Sequence, residues 1–66
     1  MEISINGQSQ QVQDDFTVAQ LIDTLGLTSK RLAVEVNLAI VPRSKFETYI
    51  LTQGDRVEIV QAIGGG

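Results

Sequence analysis

The sequence predicts an α+β fold, with one helix across one face of a mixed β-sheet, and three observations carry that prediction. Apolar and polar residues alternate near both ends of the chain, over residues 1–6 and again from Arg56, which is the period-2 pattern of half-buried strands. Between them, Val18, Leu21, Ile22 and Leu25 recur at i, i+3, i+4 and i+7, the stripe of a single amphipathic helix. The length, 66 residues, allows one domain near the lower limit of independent folding.

Taken in order, Met1, Ile3 and Ile5 alternate with Glu2, Ser4 and Asn6, and Asn6-Gly7 is the dipeptide best suited to a type I′ hairpin turn. The returning strand, residues 8–13, has Val12 as its one large apolar residue, and its glutamines suit an edge position. The helix starts at Thr17 as N-cap, with Gln20 completing a capping box, Asp14 and Asp15 favouring the dipole, and Phe16 stapled onto Leu21. Its stripe faces the core, Gln20, Asp23 and Thr24 face water, and Gly26 ends it as the C′ residue. Residues 27–31 form a polar connection in which Lys30 and Arg31 read as solvated cations.

Leu32, Val34 and Val36 alternate with Ala33 and Glu35 in a third strand, and Asn37 turns the chain into a short fourth segment around Ile40-Val41. Pro42, with no N–H to give a ladder, closes it. Ser44-Lys45-Phe46-Glu47 repeats the capping-box pattern and predicts one helical or 3₁₀ turn carrying Phe46, Tyr49 and Ile50 inward. After a turn at Gln53-Gly54-Asp55, the last strand places Val57, Ile59, Gln61 and Ile63 on one face and Arg56, Glu58, Val60 and Ala62 on the other.

In so short a chain the order β-β-α-β-β-turn-β is most compact when the first and last strands lie side by side, parallel, at the centre of the sheet. That is the β-grasp, or ubiquitin-like, roll, expected over residues 1–63, with Gly64, Gly65 and Gly66 as a tail leaving a central strand. Three extended residues reach about 10 Å. The tail reads either as a frayed end or as a probe that enters a partner's pocket, loose alone and ordered inside that partner.

The chain contains no cysteine and no histidine, which excludes disulfides, thiolate nucleophiles, zinc sites of the usual ligands and imidazole acid–base chemistry. An enzyme in its own right is the least expected reading, and no cofactor and no metal are expected on this chain. A net charge of −3 disfavours nucleic acid. The acidic, alternating start is unlike a signal peptide, and the longest apolar stretch, residues 32–41, is interrupted and about half the ~20 residues of a membrane span, so a cytoplasmic protein away from membranes is expected. The reactive group of a glycine end is its α-carboxylate, a poor electrophile that must be activated. Because the sequence has no P-loop spacing, ATP is expected on a partner. An adenylated Gly66 would give a thiocarboxylate with a sulfur nucleophile or an isopeptide with a lysine.

The Val34-Glu35-Val36-Asn37 and Ile40-Val41-Pro42-Arg43 stretches, the Gly54-Asp55-Arg56-Val57-Glu58-Ile59 strand entry and the Gly65-Gly66 terminus resemble the sulfur carriers of thiamin thiazole biosynthesis, the ThiS family, over essentially the whole chain. The resemblance implies adenylation of Gly66 by an E1-like adenylyltransferase (ThiF) and conversion to a thiocarboxylate by a sulfur donor such as a cysteine desulfurase relay. It further implies sulfur delivery to thiazole synthase (ThiG). Gly64 departs mildly from related tails, which often carry a small residue there. Glu58, Val60 and Ala62, on the face opposite Val57 and Ile59, are the candidate partner-binding face, with scattered surface hydrophobes as the plainer reading; Arg43 and Arg56 read as surface cations. Other readings of the same chain are a small subunit of molybdopterin synthase, a ubiquitin-like modifier, and an interaction module whose glycine end is irrelevant.

Overall fold

Two hairpins and one intervening strand build the sheet. A computed structural model of the chain describes residues 1–27 and 31–61. Strands β1 (Glu2–Ile5) and β2 (Gln8–Gln11) pair antiparallel across Asn6-Gly7, whose φ values of 49° and 85° are the two left-handed positions of a type I′ turn. Strands β3 (Leu32–Val36) and β4 (Ala39–Val41) repeat the device with Asn37 and Leu38 at φ 52° and 71°. Strand β5 (Arg56–Gln61) enters between the hairpins, parallel to β1 and antiparallel to β3, giving the order β2-β1-β5-β3-β4. The expected central pairing of the first and last strands is thus observed.

Helix α1 (Val18–Thr24) packs on the inner face. Its start is the capping box read from the sequence: Gln20 N donates to Thr17 Oγ1 at 3.1 Å, and Thr17 N donates to Gln20 Oε1 at 2.9 Å. Its end is a Schellman motif, in which Gly26 N donates to the Asp23 carbonyl and Leu27 N to the Ile22 carbonyl, with Gly26 at φ 73°. Val18, Leu21 and Ile22 are buried against Ile3, Val34, Val36 and Val57 of the sheet, while Phe16, Val41, Phe46 and Leu51 close the margins of the same core. Each fully buried aliphatic or aromatic side chain contributes about 1.5–3 kcal/mol.

Four expectations need correction. Leu25, placed in the core stripe by spacing, is 39% exposed. The helix is only seven residues long, and Leu25 is already its C-cap, where the chain turns off the sheet. The 3₁₀ turn spans Arg43–Lys45 and starts from Pro42 with no side-chain cap, so Ser44 is inside the turn and the capping-box reading there fails. Ile50 is exposed, and Leu51 takes the core position. The backbone there is extended, bridging Ile50 to Thr17 and giving Leu51 N to the Phe16 carbonyl at 2.8 Å, so adjacent side chains alternate and only one points inward. Finally, β2 ends at Gln11, two residues short of the expected limit, although Val12 still donates its N–H to the Met1 carbonyl.

Candidate functional site

The sequence reading expects the chemistry at Gly66, beyond the end of β5, so the geometry that matters first is how that strand is held. At its start, Asp55 is buried, 8% exposed, and its carboxylate accepts three hydrogen bonds: from Asn37 Nδ2 at 3.0 Å, from Thr52 N at 2.8 Å and from Thr52 Oγ1 at 3.1 Å. Such bonds compensate the removal of a charge from water, which is costly when unmatched. Asn37 completes the link by accepting from Arg56 N on its Oδ1 at 3.0 Å, while its own N–H donates to the Arg56 carbonyl at 2.8 Å.

Midway along the strand a second asparagine does the corresponding work from the other side. Ile59 N donates to Asn6 Oδ1 at 2.8 Å, and Asn6 Nδ2 donates to the Ile59 carbonyl at 3.3 Å. Strand β1 has already turned away at this point, so the Asn6 amide stands in for the next residue of a parallel partner. On the opposite side the β3 ladder continues to the pairing of Leu32 with Gln61. The turn residue after each neighbour of β5 therefore fastens it, and both are asparagines in the left-handed region, which that side chain tolerates better than most.

The described part of β5 presents the two faces expected: Val57 buried and Ile59 half-buried inward, Arg56, Glu58 and Val60 outward and exposed. Glu58 and Val60 are thus where the sequence placed them. Across the sheet, Glu58 lies opposite Glu35 and Val60 opposite Ala33, while Glu35 lies opposite Ile40 of β4. Ala62, Gly64, Gly65 and Gly66, the boundary after residue 63, and the expectation that the tail is loose alone all lie outside the described residues.

Sequence reading missed Asn6, Asn37 and Asp55 as fasteners of β5, and Glu35 and Ile40 as neighbours of the outer face. The two asparagines carried a signal, since each opens a two-residue turn directly after a strand. Elsewhere, an open groove of about 360 Å³ is lined by Ile5, Asn6, Gln8, Gln10, Leu25 and Leu27, which bring together amides and hydrocarbon but no acid, base or nucleophile. Among the described residues no group of three or more acidic side chains could hold a metal ion, and no helix is long and apolar enough to cross a membrane.

Comparison with known proteins places this geometry. The ThiS family model matches residues 3–66. The thiazole synthase of Paramagnetospirillum magneticum is 42% identical over 66 residues, which are 100% of this chain but only 20% of that protein, so the chain spans a fifth of that relative's length. The sulfur carrier protein ThiS of Escherichia coli (strain K12) is 33% identical over 66 residues, 100% of each chain. The crystal structure of the thiamine biosynthesis protein (ThiS) from Geobacter metallireducens superposes with a TM-score of 0.84 at 28% identity, again covering 100% of both chains.

Proposed function

The chain belongs to the ThiS family, and from that premise we propose that it carries sulfur for the thiazole ring of thiamin as a thiocarboxylate on Gly66. The observation that carries this reading is the match with a sulfur carrier, 33% identical over 100% of both chains.

In this reaction the Gly66 carboxylate attacks the α-phosphate of ATP held by a ThiF-type adenylyltransferase, releasing pyrophosphate and leaving an acyl-adenylate. Sulfide adds to the activated carbonyl, and AMP leaves with the bonding pair of the C–O bond that breaks. A persulfide from a cysteine desulfurase relay attacks in the same way to give an acyl disulfide. A second thiol then reduces this to the thiocarboxylate, leaving as the mixed disulfide with the relay's sulfur. The resulting thiocarboxylate is a sulfur nucleophile in a chain without cysteine. Gly64, Gly65 and Gly66 have no side chains to obstruct an enzyme closing around the carbonyl.

The hold on β5, described to Gln61, supports the proposed division of labour, with residues 1–63 as the domain and residues 64–66 as the part that enters the partner. Thiazole synthase is the proposed acceptor, and the thiazole synthase that contains a segment resembling this chain supports that choice. Glu58, Val60 and Ala62 are the proposed partner-binding face, and the cytoplasm, where ATP and reduced sulfur are available, is the proposed compartment.

The test is intact-mass measurement after incubation with a ThiF-type adenylyltransferase, ATP and a sulfide source. The expected result is exchange of one oxygen for sulfur, located at Gly66 by fragmentation and lost in a chain lacking Gly65 and Gly66. An unchanged mass, where the E. coli sulfur carrier is converted in parallel, overturns the proposal.

A further inference from the structure

The two asparagines of the chain occupy equivalent places, each opening the turn after a strand and each fastening β5, yet Asn6 is followed by Gly7 and Asn37 by Leu38. That difference matters chemically. An asparagine loses its amide when the backbone nitrogen of the next residue attacks its side-chain carbonyl carbon, and bulk on that next residue hinders the attack. Glycine offers no such bulk. The space around Gly7 is open, with nothing within 4 Å of where a Cβ would stand, and both Asn6 and Gly7 are exposed. At Asn37 the branched side chain of Leu38 crowds the nitrogen, and the amide is tied to the buried carboxylate of Asp55 at 3.0 Å. What restrains Asn6 is its hold on β5: Oδ1 accepts from Ile59 N at 2.8 Å, and Nδ2 donates to the Ile59 carbonyl at 3.3 Å. The longer, weaker bond is the one made by the group that would leave. While both persist, the side chain cannot swing onto its own backbone to close the ring that the attack forms.

We propose that Asn6-Gly7 is a deamidation site gated by the hydrogen bonds between Asn6 and Ile59, and that its conversion loosens the far half of β5. Once Asn6 leaves Ile59, hydroxide takes the Gly7 N–H proton and the nitrogen pair bonds to Asn6 Cγ. The Cγ–Nδ2 bond breaks with its pair going to nitrogen, which takes a proton from water and departs as ammonia. Water then opens the cyclic imide at either carbonyl, giving aspartate or isoaspartate, so that one amide is lost and one carboxylate gained. Neither product keeps the Nδ2 donor, and the Ile59 carbonyl then faces an oxygen. Isoaspartate also adds a backbone atom to a turn whose two left-handed residues set the register of β1 against β2. Beyond Val57, which faces Ile5, the described part of β5 would be held on the β3 side alone.

The experiment incubates the purified chain at neutral and at mildly alkaline pH, folded in buffer and unfolded in urea, and follows each asparagine by peptide mass. A gain of one dalton at residue 6 is expected, faster at the higher pH because the attacking nitrogen must be deprotonated. Asn37 should convert about tenfold more slowly, even in urea, where only the neighbouring residue distinguishes the two. Folding should slow Asn6 several-fold relative to urea, since the hold on Ile59 must first open. The converted chain, separated from the parent by its extra negative charge, should melt a few degrees lower and exchange its Ile59 amide hydrogen faster. The variant Asn6→Asp, made directly, should show part of the same loss, which checks the consequence apart from the reaction. Equal rates at residue 6 in folded and unfolded chains overturn the gating. A folded chain unchanged at residue 6 when the unfolded one is fully converted overturns the site, as does Asn37 converting as fast as Asn6. A converted chain with the melting temperature and Ile59 exchange of the parent overturns the consequence for β5.

Discussion

Asp55 is buried, and its carboxylate accepts three hydrogen bonds at the entry to β5. Its carboxylate gathers Thr52 and Asn37 and so fixes both the turn before β5 and the register of β5 against β3. Asp55→Ala removes the buried acceptor of three part-buried hydrogen bonds and is expected to cost about 2 kcal/mol. For a domain of this size that is a fall of roughly 10 °C in Tm, measurable by circular dichroism. Asp55→Asn, which keeps one acceptor oxygen, should lose less. The turn at Gln53-Gly54-Asp55 was legible in the sequence, yet the partnership was not: Asn37 lies eighteen positions away and Asn6 fifty-three positions from Ile59. Such pairs become neighbours only after strands are ordered in a sheet, and no local pattern encodes that order. The glycines of the tail were the reverse case, conspicuous in the sequence and interpretable only through the strand that leads to them.

At the scale of elements, the first hairpin and the helix followed local chemistry closely, because Asn6-Gly7 and the Thr17–Gln20 capping box each satisfy their own backbone groups. The segment between Pro42 and Leu51 did not. A capping-box pattern at Ser44 competed with Pro42, whose fixed φ starts the turn earlier, and helical spacing misassigned Ile50 where the backbone is extended. The second hairpin holds a local conflict, since Leu38 occupies a left-handed position with its side chain 72% exposed. Leu38→Gly should relieve that strain and raise stability by about 0.5–1 kcal/mol, the backbone gain being partly offset by the freedom glycine adds to the unfolded chain. Urea unfolding would show this as a higher midpoint with an unchanged slope. An unchanged or lower midpoint would mean that the leucine contributes contacts which its exposure conceals.

For the whole molecule, the decisive feature is that the first and last strands are neighbours. Pairing β1 with β5 brings Ser4 beside Arg56, so native topology requires closure of nearly the entire described chain before the central ladder exists. Refolding is therefore expected in roughly milliseconds to seconds, as for other folds dominated by non-local pairing, and not in the microseconds of a helical bundle. Stopped-flow fluorescence of Tyr49 would measure it. The same adjacency has a mechanical side. Because β1 and β5 run parallel, a pull on the far end of β5 opposed by a hold on the start of β1 loads their connecting bonds in shear, all at once, instead of opening them one after another like a zipper. The Asn6 amide at Ile59 adds a rivet near the loaded end. Tension applied where β5 leaves the sheet would then be borne by the body as a unit, which moves with its last strand instead of unravelling from it.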